Sequence, residues 1–137
     1  MSQLTPSTLT TAVIIATRDR AHVLRQCLAS LALLAVDEII VVDNAPADGS
    51  TRRLVAESAA TYVCEPVIGL SRARNRGALA SSADIVAFID DDALAEPGWL
   101  EALTREFEDP RVMAAAGRIL PASLETPAER LFEQAGG

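Results

Sequence analysis

Three consecutive carboxylates, Asp90, Asp91 and Asp92, follow a short apolar run in the stretch DIVAFIDDD, residues 84–92. The run Ile85–Ile89 is too short for a typical helix and apolar at every position, which predicts a buried strand of a parallel sheet. The acids then lie at the carboxyl end of that strand, the edge where open α/β sheets bind ligands. Adjacent carboxylates repel each other unless a cation or a ligand's donors hold them, so this edge predicts a metal or polar-ligand site.

Composition limits the classes of protein that fit. The chain has 137 residues, 50% of them hydrophobic, which is enough for one domain with a core. Its net charge of −7 argues against a nucleic-acid surface. All 12 basic residues are arginine, which excludes Schiff-base chemistry and the P-loop lysine.

The remaining reactive side chains favour structural roles. Cys27 and Cys64 stand alone in apolar contexts, so both are predicted to be reduced core residues. His22 has no histidine or cysteine near it and is predicted to lie on the surface near a helix start. The chain shows no membrane-length apolar run, and its first ten residues lack signal-peptide features. We expect a cytoplasmic protein without a transmembrane segment, with peripheral docking at the inner membrane face left open.

Predicted strands and helices alternate along the chain. Strands are predicted at 11–17, 38–42, 62–64, 85–89 and 112–120, and helices after residue 20, over 51–60, from 71, over 97–109 and in part of 122–137. This alternation indicates βαβ units with a mostly parallel central sheet and helices on both faces. The fold class expected is therefore α/β, a three-layer α/β/α sandwich.

Polar residues follow three of the predicted strands. They are Thr17, Arg18 and Asp19 after the first, Asp43 and Asn44 after the second, and Asp90, Asp91 and Asp92 after the fourth. Parallel strands place their carboxyl ends at the same edge, so all three clusters are expected to converge there.

The segments VIIATRDR, EIIVVDN followed by DGS, GLSRARNRGAL and IVAFIDDD, in this order and spacing, resemble the nucleotide-binding half of a family 2 glycosyltransferase of the GT-A fold. The resemblance covers about residues 11–120. It implies a Rossmann-like domain that binds a nucleoside-diphosphate sugar with Mn²⁺ or Mg²⁺. In a complete enzyme the sugar would pass, with inversion, to a saccharide or lipid-linked acceptor.

The resemblance also implies roles for the three aspartates. Asp92 matches the metal ligand, Asp91 the ribose contact, and Asp90 a shared or supporting position. The chemistry is consistent, because a diphosphate and carboxylates repel each other and a divalent cation between them removes that repulsion.

The loop after the first strand matches the wall of the nucleobase pocket, so Ala16, Thr17 and Arg18 inherit that role. Family members usually carry proline and an aromatic residue where this chain has Ala16 and Arg18. A guanidinium can stack on a base much as an aromatic ring does. Asp19 could instead cap the first helix.

Base recognition is implied for Asp43 and Asn44, which match the acidic pair of the family. The Asn44 carbonyl oxygen can accept a hydrogen bond from a pyrimidine N3–H, which favours UDP- or dTDP-sugars. Arg74 matches the arginine that faces the nucleotide, with Asp43 or phosphate as its expected partner. Arg72 and Arg76 share another helix face and are predicted to be solvated.

The resemblance divides the chain into an N-terminal tail (1–10), a donor-binding domain (11–120) and a segment (121–137) that approaches an acceptor-binding region. In the family the catalytic base lies in that later region. No catalytic residue is therefore predicted, and the polypeptide is expected to be a donor-binding portion, either a truncated gene product or an artificially shortened piece of a longer enzyme. The carboxylates near its end match no motif; they are Glu125, Glu129 and Glu133.

Two other classes stay open at this point. One is a non-catalytic module that binds nucleotide-sugars. The other is a sugar-phosphate nucleotidyltransferase, which would normally show a glycine-rich loop with lysine after the first strand, and this chain shows neither.

Overall fold

The computed structural model describes residues 9–136 as a parallel sheet flanked by helices. The strands are β1 (Thr11–Thr17), β2 (Glu38–Asn44), β3 (Thr61–Glu65) and β4 (Ile85–Phe88). The helices are α1 (Ala21–Leu31), α2 (Ser50–Ala56), α3 (Leu70–Ala80), α4 (Trp99–Arg105) and α5 (Pro127–Gln134), and a 3₁₀ turn (Glu106–Glu108) follows α4. Residues 1–8 of the predicted tail, and Gly137, lie outside the described residues.

The strands run parallel in the order β3-β2-β1-β4. The chain builds the sheet outward from β1 through β2 to β3, and then returns to place β4 on the other side of β1. Where strand order reverses in this way, the connections leave in opposite directions and open a crevice at the carboxyl ends. That crevice lies between β1 and β4, the strands that precede the first loop and the aspartates.

Apolar residues on both faces of β1 and β2 form two core layers. On one face Val13, Ile15 and Val41 pack with α1, α2 and Leu100 of α4. On the other face, the neighbouring residues of the same strands pack against Ala73 of α3. The α1 residues in the first layer recur at helical spacing; they are Leu24, Cys27, Leu28 and Leu31. The predicted α/β/α sandwich is confirmed.

Gly77 lets α3 approach the sheet closely. A Cβ there would overlap Cγ2 of Ile14 and lie 3.0 Å from Cγ2 of Val42, both fixed in the core. We therefore expect Gly77→Ala to destabilise the fold by about 1–3 kcal/mol, because overpacking outweighs the better helix propensity of alanine. Urea unfolding measures this loss. The matched control is Gly49→Ala, whose new carbon meets mainly the mobile end of Arg53; equal effects of the two changes would contradict the packing argument.

The strand that delivers the aspartates differs from its prediction. β4 is the edge strand of the sheet over residues 9–136, and it pairs with β1. Phe88 is 46% exposed, so the strand is not buried on both faces. An apolar run corresponds to a fully buried strand only where other elements cover both of its faces. The sequence does not show which faces are covered.

The strand predicted at 112–120 is wrong. That segment forms no regular structure, and every residue from Met113 to Leu120 is exposed. Its apolar residues pair with no strand in the described part of the chain, and a strand needs a partner for its backbone groups. The preceding helix also ends earlier than predicted, because α4 stops at Arg105 and tightens into the 3₁₀ turn.

Two smaller predictions are corrected. The helix predicted over 51–60 begins at Ser50, whose N–H donates to Oδ1 of Asp48 at 2.7 Å, and it ends at Ala56. Cys27 is buried as predicted, but Cys64 is exposed because β3 is the other edge of the sheet. Both thiols are free.

The predicted C-terminal helical segment is confirmed as α5. Thr126 and Glu129 form a reciprocal capping box at its start, and Pro127 occupies the first turn. Leu131 and Phe132 on this helix are exposed. Across residues 9–136, none of the helices has the length and apolar character needed to cross a membrane.

Candidate functional site

Thr17 and Asp91 join the carboxyl ends of β1 and β4. Ile14 pairs with Phe88, and continuing that register by three residues sets Thr17 opposite Asp91. The Thr17 hydroxyl donates to Oδ2 of Asp91 at 2.8 Å, and Asp91 is 6% exposed. The predicted convergence of the first and fourth strand ends is therefore confirmed.

Arg74 reaches this edge from α3 and pairs with Asp90, its Nη2 lying 3.0 Å from Oδ1. The predicted contact between Arg74 and Asp43 is wrong. Helix α3 covers the sheet face that carries Val42, whereas Asp43 extends from the opposite face. Arg72 and Arg76 are exposed, as predicted.

Asp92 is engaged by an arginine that the sequence analysis missed. Nη2 of Arg20 donates to Oδ2 of Asp92 at 3.0 Å, and its Nη1 lies 3.4 Å from Oδ1 of Asp91. The hydrogen bond to Asp92, followed by the charge of Asp91, raises the pKa of Arg20. Arg20 immediately precedes α1, in the loop that follows β1. Its position three residues after Thr17 was the available signal.

Asp43 is a fully buried carboxylate at the end of β2. Its Oδ2 accepts a hydrogen bond from the Tyr62 hydroxyl at 2.8 Å, while Oδ1 is buried with no partner among the described residues. Burial raises the pKa of Asp43, although the Tyr62 hydrogen bond opposes the shift. Burial and the contact with Asp43 raise the pKa of Tyr62 to about 12. The Arg52 guanidinium lies 5.0 Å from the centre of the Tyr62 ring.

Tyr62 is a second contributor that the sequence analysis missed. It pairs with Val41 on the neighbouring strand, two residues before Asp43, and so shares a sheet face with that carboxylate. Only the register between β2 and β3 reveals the pair. Tyr62 fixes one carboxylate oxygen, and the other has no hydrogen-bond partner among residues 9–136.

Removing the Tyr62 hydroxyl tests this role. We expect Tyr62→Phe to reduce the free energy of unfolding by about 1–3 kcal/mol at neutral pH, because a buried carboxylate loses the one hydrogen bond it makes within residues 9–136. Urea unfolding at pH 7 measures it. In an Asp43→Ala background the same change should cost little, since the partner is absent. An equal loss of unfolding free energy in both backgrounds would mean that the substitution acts through the packing of the ring and not through the hydrogen bond.

Asn44 holds the loop that leads into α3. Its Nδ2 donates to the carbonyl oxygens of Glu65 and Val67 at 3.1 and 2.8 Å, and its Oδ1 accepts from the Gly69 N–H at 2.9 Å. Both donors and one acceptor position of the amide are thus used within the chain. Asn44 thereby fixes the start of the helix that carries Arg74.

The loop after β1 presents side chains of different exposure. Ala16 is half-buried, Thr17 is buried, and Arg18 is exposed. Asp19 makes no cap for α1; its Oδ1 instead accepts a hydrogen bond from the Ala47 N–H at 2.8 Å. The capping alternative is wrong because α1 begins at Ala21, with Arg20 in the cap position. His22 is exposed near the start of α1, as predicted.

The aspartates supply few ligands of their own for a divalent cation. Over residues 9–136, no group of three or more His, Cys, Asp or Glu side chains is arranged to hold a metal. Magnesium, however, is commonly held by one or two carboxylates together with substrate phosphates and water. The Asp92 side chain is 58% exposed and lies at the crevice edge, so this donor fits an ion that a diphosphate completes.

Comparison with known proteins agrees with this geometry. The family model for glycosyl transferase family 2 matches residues 12–134. A pre-mycofactocin glycosyltransferase of Mycobacterium tuberculosis is 36% identical over 122 residues, which is 84% of this chain and 24% of that protein. The chain therefore spans about a quarter of the length of this curated relative.

Solved structures give the same result for the fold. Glucosyl-3-phosphoglycerate synthase from M. tuberculosis, solved with UDP, matches 74% of this chain and 41% of its own with a TM-score of 0.64 and 25% identity. That synthase has also been solved with UDP and Mn²⁺ or Mg²⁺. A mannosyltransferase from Pyrobaculum calidifontis, in complex with GDP-mannose and Mn²⁺, matches 78% of this chain and 34% of its own, with a TM-score of 0.68 and 26% identity. The chain belongs to glycosyl transferase family 2.

Proposed function

We propose that residues 11–120 form the donor-binding unit of an inverting glycosyltransferase, which binds a nucleoside-diphosphate sugar together with Mn²⁺ or Mg²⁺. The observation that carries the proposal is the crevice between β1 and β4. Thr17, Asp91 and Asp92 meet there, and a buried carboxylate oxygen on the neighbouring strand has no partner within the described residues.

Asp92 is the proposed protein ligand of the ion. Its exposed carboxylate lies at the crevice edge and can share the ion with the two phosphates of the donor. The bound ion would neutralise charge on the diphosphate as it leaves. Asp91 is the proposed acceptor for a ribose hydroxyl, which its hydrogen bond from Thr17 supports, and Asp90 contributes to the edge through its pairing with Arg74.

Asp43 is the proposed reader of the base. Its free Oδ1 can accept the N3–H of uracil or thymine, which supports UDP- or dTDP-sugars as donors. Asn44 contributes by holding the 65–69 loop, with its remaining lone pair as a second acceptor. Ala16, Thr17 and Arg18 form the pocket wall, and the exposed Arg18 guanidinium is free to stack on the base.

Arg74 is proposed to serve the nucleotide from the α3 side. It is paired with Asp90 and lies 40% exposed, so a phosphate oxygen can replace or share that partner. No residue is assigned as the catalytic base. Glu129 is already engaged, since its carboxylate accepts from the Thr126 N–H and the Ser123 hydroxyl.

Calorimetric titration with UDP-, dTDP- and GDP-sugars, each with and without Mn²⁺, tests donor binding. We expect affinities that depend on Mn²⁺ and are higher for uridine and thymidine donors than for guanosine donors. Binding that ignores the metal would remove the site assignment, and stronger binding of GDP-sugars would remove the base assignment. Turnover with added saccharide or lipid-linked acceptors then separates a transferase from a module that only binds the donor.

A further inference from the structure

The guanidinium of Arg20 bridges the carboxylates of Asp92 and Asp91. It is 3.0 Å from Oδ2 of Asp92 and 3.4 Å from Oδ1 of Asp91. Because the backbone of Arg20 lies just before α1, the side chain spans from the first loop to the end of β4. A cation from the chain itself therefore already binds the carboxylate that the proposed metal needs.

Two cations compete for that carboxylate. A divalent ion takes a carboxylate oxygen at about 2.1 Å, which would leave a guanidinium on the same oxygen within about 5 Å of the ion. Like charges at that separation repel each other. Metal binding at Asp92 is therefore expected to weaken or displace the hydrogen bond between Arg20 and Asp92, against the attraction of Asp91 for the same guanidinium.

A diphosphate changes this balance. An ion that bridges Asp92 and a phosphate holds a phosphate oxygen within about 5 Å of the carboxylate, so a displaced guanidinium has an anion within reach. Arginine binds phosphate oxygens through charge-assisted hydrogen bonds. The Arg20 side chain is 45% exposed and can make this short movement without disturbing the core.

We infer that Arg20 is an internal counter-cation that keeps metal off Asp92 until a nucleoside diphosphate arrives, and that it then moves from Asp92 to the diphosphate. This inference rests on the proposed function and adds an order of binding to it. Metal and nucleotide each favour the binding of the other, so their binding is positively coupled through one side chain.

Replacing Arg20 tests both parts of the inference. The affinity for Mn²⁺ alone and the affinity for UDP in the presence of Mn²⁺ are expected to change in opposite directions. In Arg20→Gln, affinity for Mn²⁺ alone should rise about fivefold, since the competing cation is gone. Affinity for UDP in the presence of Mn²⁺ should fall about fivefold, since a contact with the diphosphate is lost. A purely structural role would lower both affinities together.

The experiment measures free Mn²⁺ by its electron paramagnetic resonance signal during titration of the full chain, with and without UDP. Arg25→Gln is the matched control, because it removes the same charge from α1 at an exposed position paired with Glu57. Arg20→Lys retains a cation and should keep the affinity for Mn²⁺ alone close to the original. Circular dichroism melting confirms that each variant is folded.

The outcomes are distinct. A rise in Mn²⁺ affinity in Arg20→Gln, with weaker UDP binding in Mn²⁺ and neither change in Arg25→Gln, supports the inference. The inference is overturned if both affinities fall, if Mn²⁺ affinity is unchanged, or if Arg25→Gln produces the same rise. If the unmodified chain shows no Mn²⁺-dependent UDP binding, the proposed function itself fails and the inference fails with it.

Discussion

Asp92→Ala is expected to abolish the Mn²⁺-dependent part of UDP binding. The affinity for UDP in the presence of Mn²⁺ should fall about 100-fold, toward the value without metal, because the proposed ion loses its protein ligand. Without metal the same variant should bind UDP as well as the original chain or slightly better, since one carboxylate facing the diphosphate is gone. Calorimetric titration with and without Mn²⁺ measures both values.

Two companion variants sharpen this result. Asp92→Asn keeps the size of the side chain and an acceptor for Arg20. If UDP binding to this variant no longer depends on Mn²⁺, the negative charge of the carboxylate is what the metal requires. Glu96→Ala removes an exposed carboxylate four residues further along the chain and should leave binding unchanged. Full metal dependence in Asp92→Ala would show that another group holds the ion.

Asp43→Asn is expected to reverse the choice of pyrimidine. The Tyr62 hydroxyl keeps its acceptor if the amide oxygen takes the place of Oδ2, which leaves the amide NH₂ at the position of the free Oδ1. Uridine presents N3–H at this point and would face a second donor, so UDP affinity should fall about 10- to 100-fold. Cytidine presents an N3 acceptor, and CDP should gain relative to UDP.

Competition between UDP and CDP in Mn²⁺ measures this exchange. The matched control is Asp48→Asn, which changes an exposed carboxylate near the start of α2 and should keep the original order of affinities. An unchanged ratio of UDP to CDP affinity in Asp43→Asn would show that the base is recognised elsewhere.

The same substitution should also change how the stability of the fold depends on pH. Burial raises the pKa of Asp43 above the pKa of the same carboxyl in the unfolded chain, which is about 4. At a pH above about 4, ionisation of Asp43 in the folded protein therefore costs folding free energy. Asp43→Asn removes this ionisation cost, while the buried amide NH₂ in the place of Oδ1 adds a penalty that does not change with pH. The stability of Asp43→Asn relative to the original protein should therefore be greater at neutral pH than below about pH 4, where the carboxyl of the original protein is protonated in both states. Urea unfolding across pH 3–7 measures this difference; a difference that does not change with pH would contradict the argument.

The layers of the fold and one edge of the site follow from local sequence patterns. β1 and β2 are apolar runs that end in polar residues, and the helix after β1 carries an apolar stripe at helical spacing. Parallel strands separated by helices then force the polar ends together, so the sequence by itself predicts that Thr17 and the aspartates share one edge.

The contacts within the site could not be predicted in the same way. Tyr62 meets Asp43 because of the register between β2 and β3, and Arg20 meets Asp92 across 72 residues of sequence. Such pairs depend on side-chain rotamers and strand alignment, which leave no periodic signal. The strand wrongly predicted at 112–120 shows a second limit of the sequence patterns. An apolar segment forms a strand only where another strand pairs with it, and the pattern does not show whether such a partner exists.

The hydrogen bond between Thr17 and Asp91 also bears on how the protein is made. It joins residues 74 apart, and β4 can pair with β1 only after the intervening chain has been synthesised. Until then the edge of β1 through Thr11–Ile14 has no neighbour on that side and is exposed to pairing with other chains. The proposed donor site is therefore expected to form late in folding, and substitutions that slow the docking of β4 should appear first as aggregation during expression.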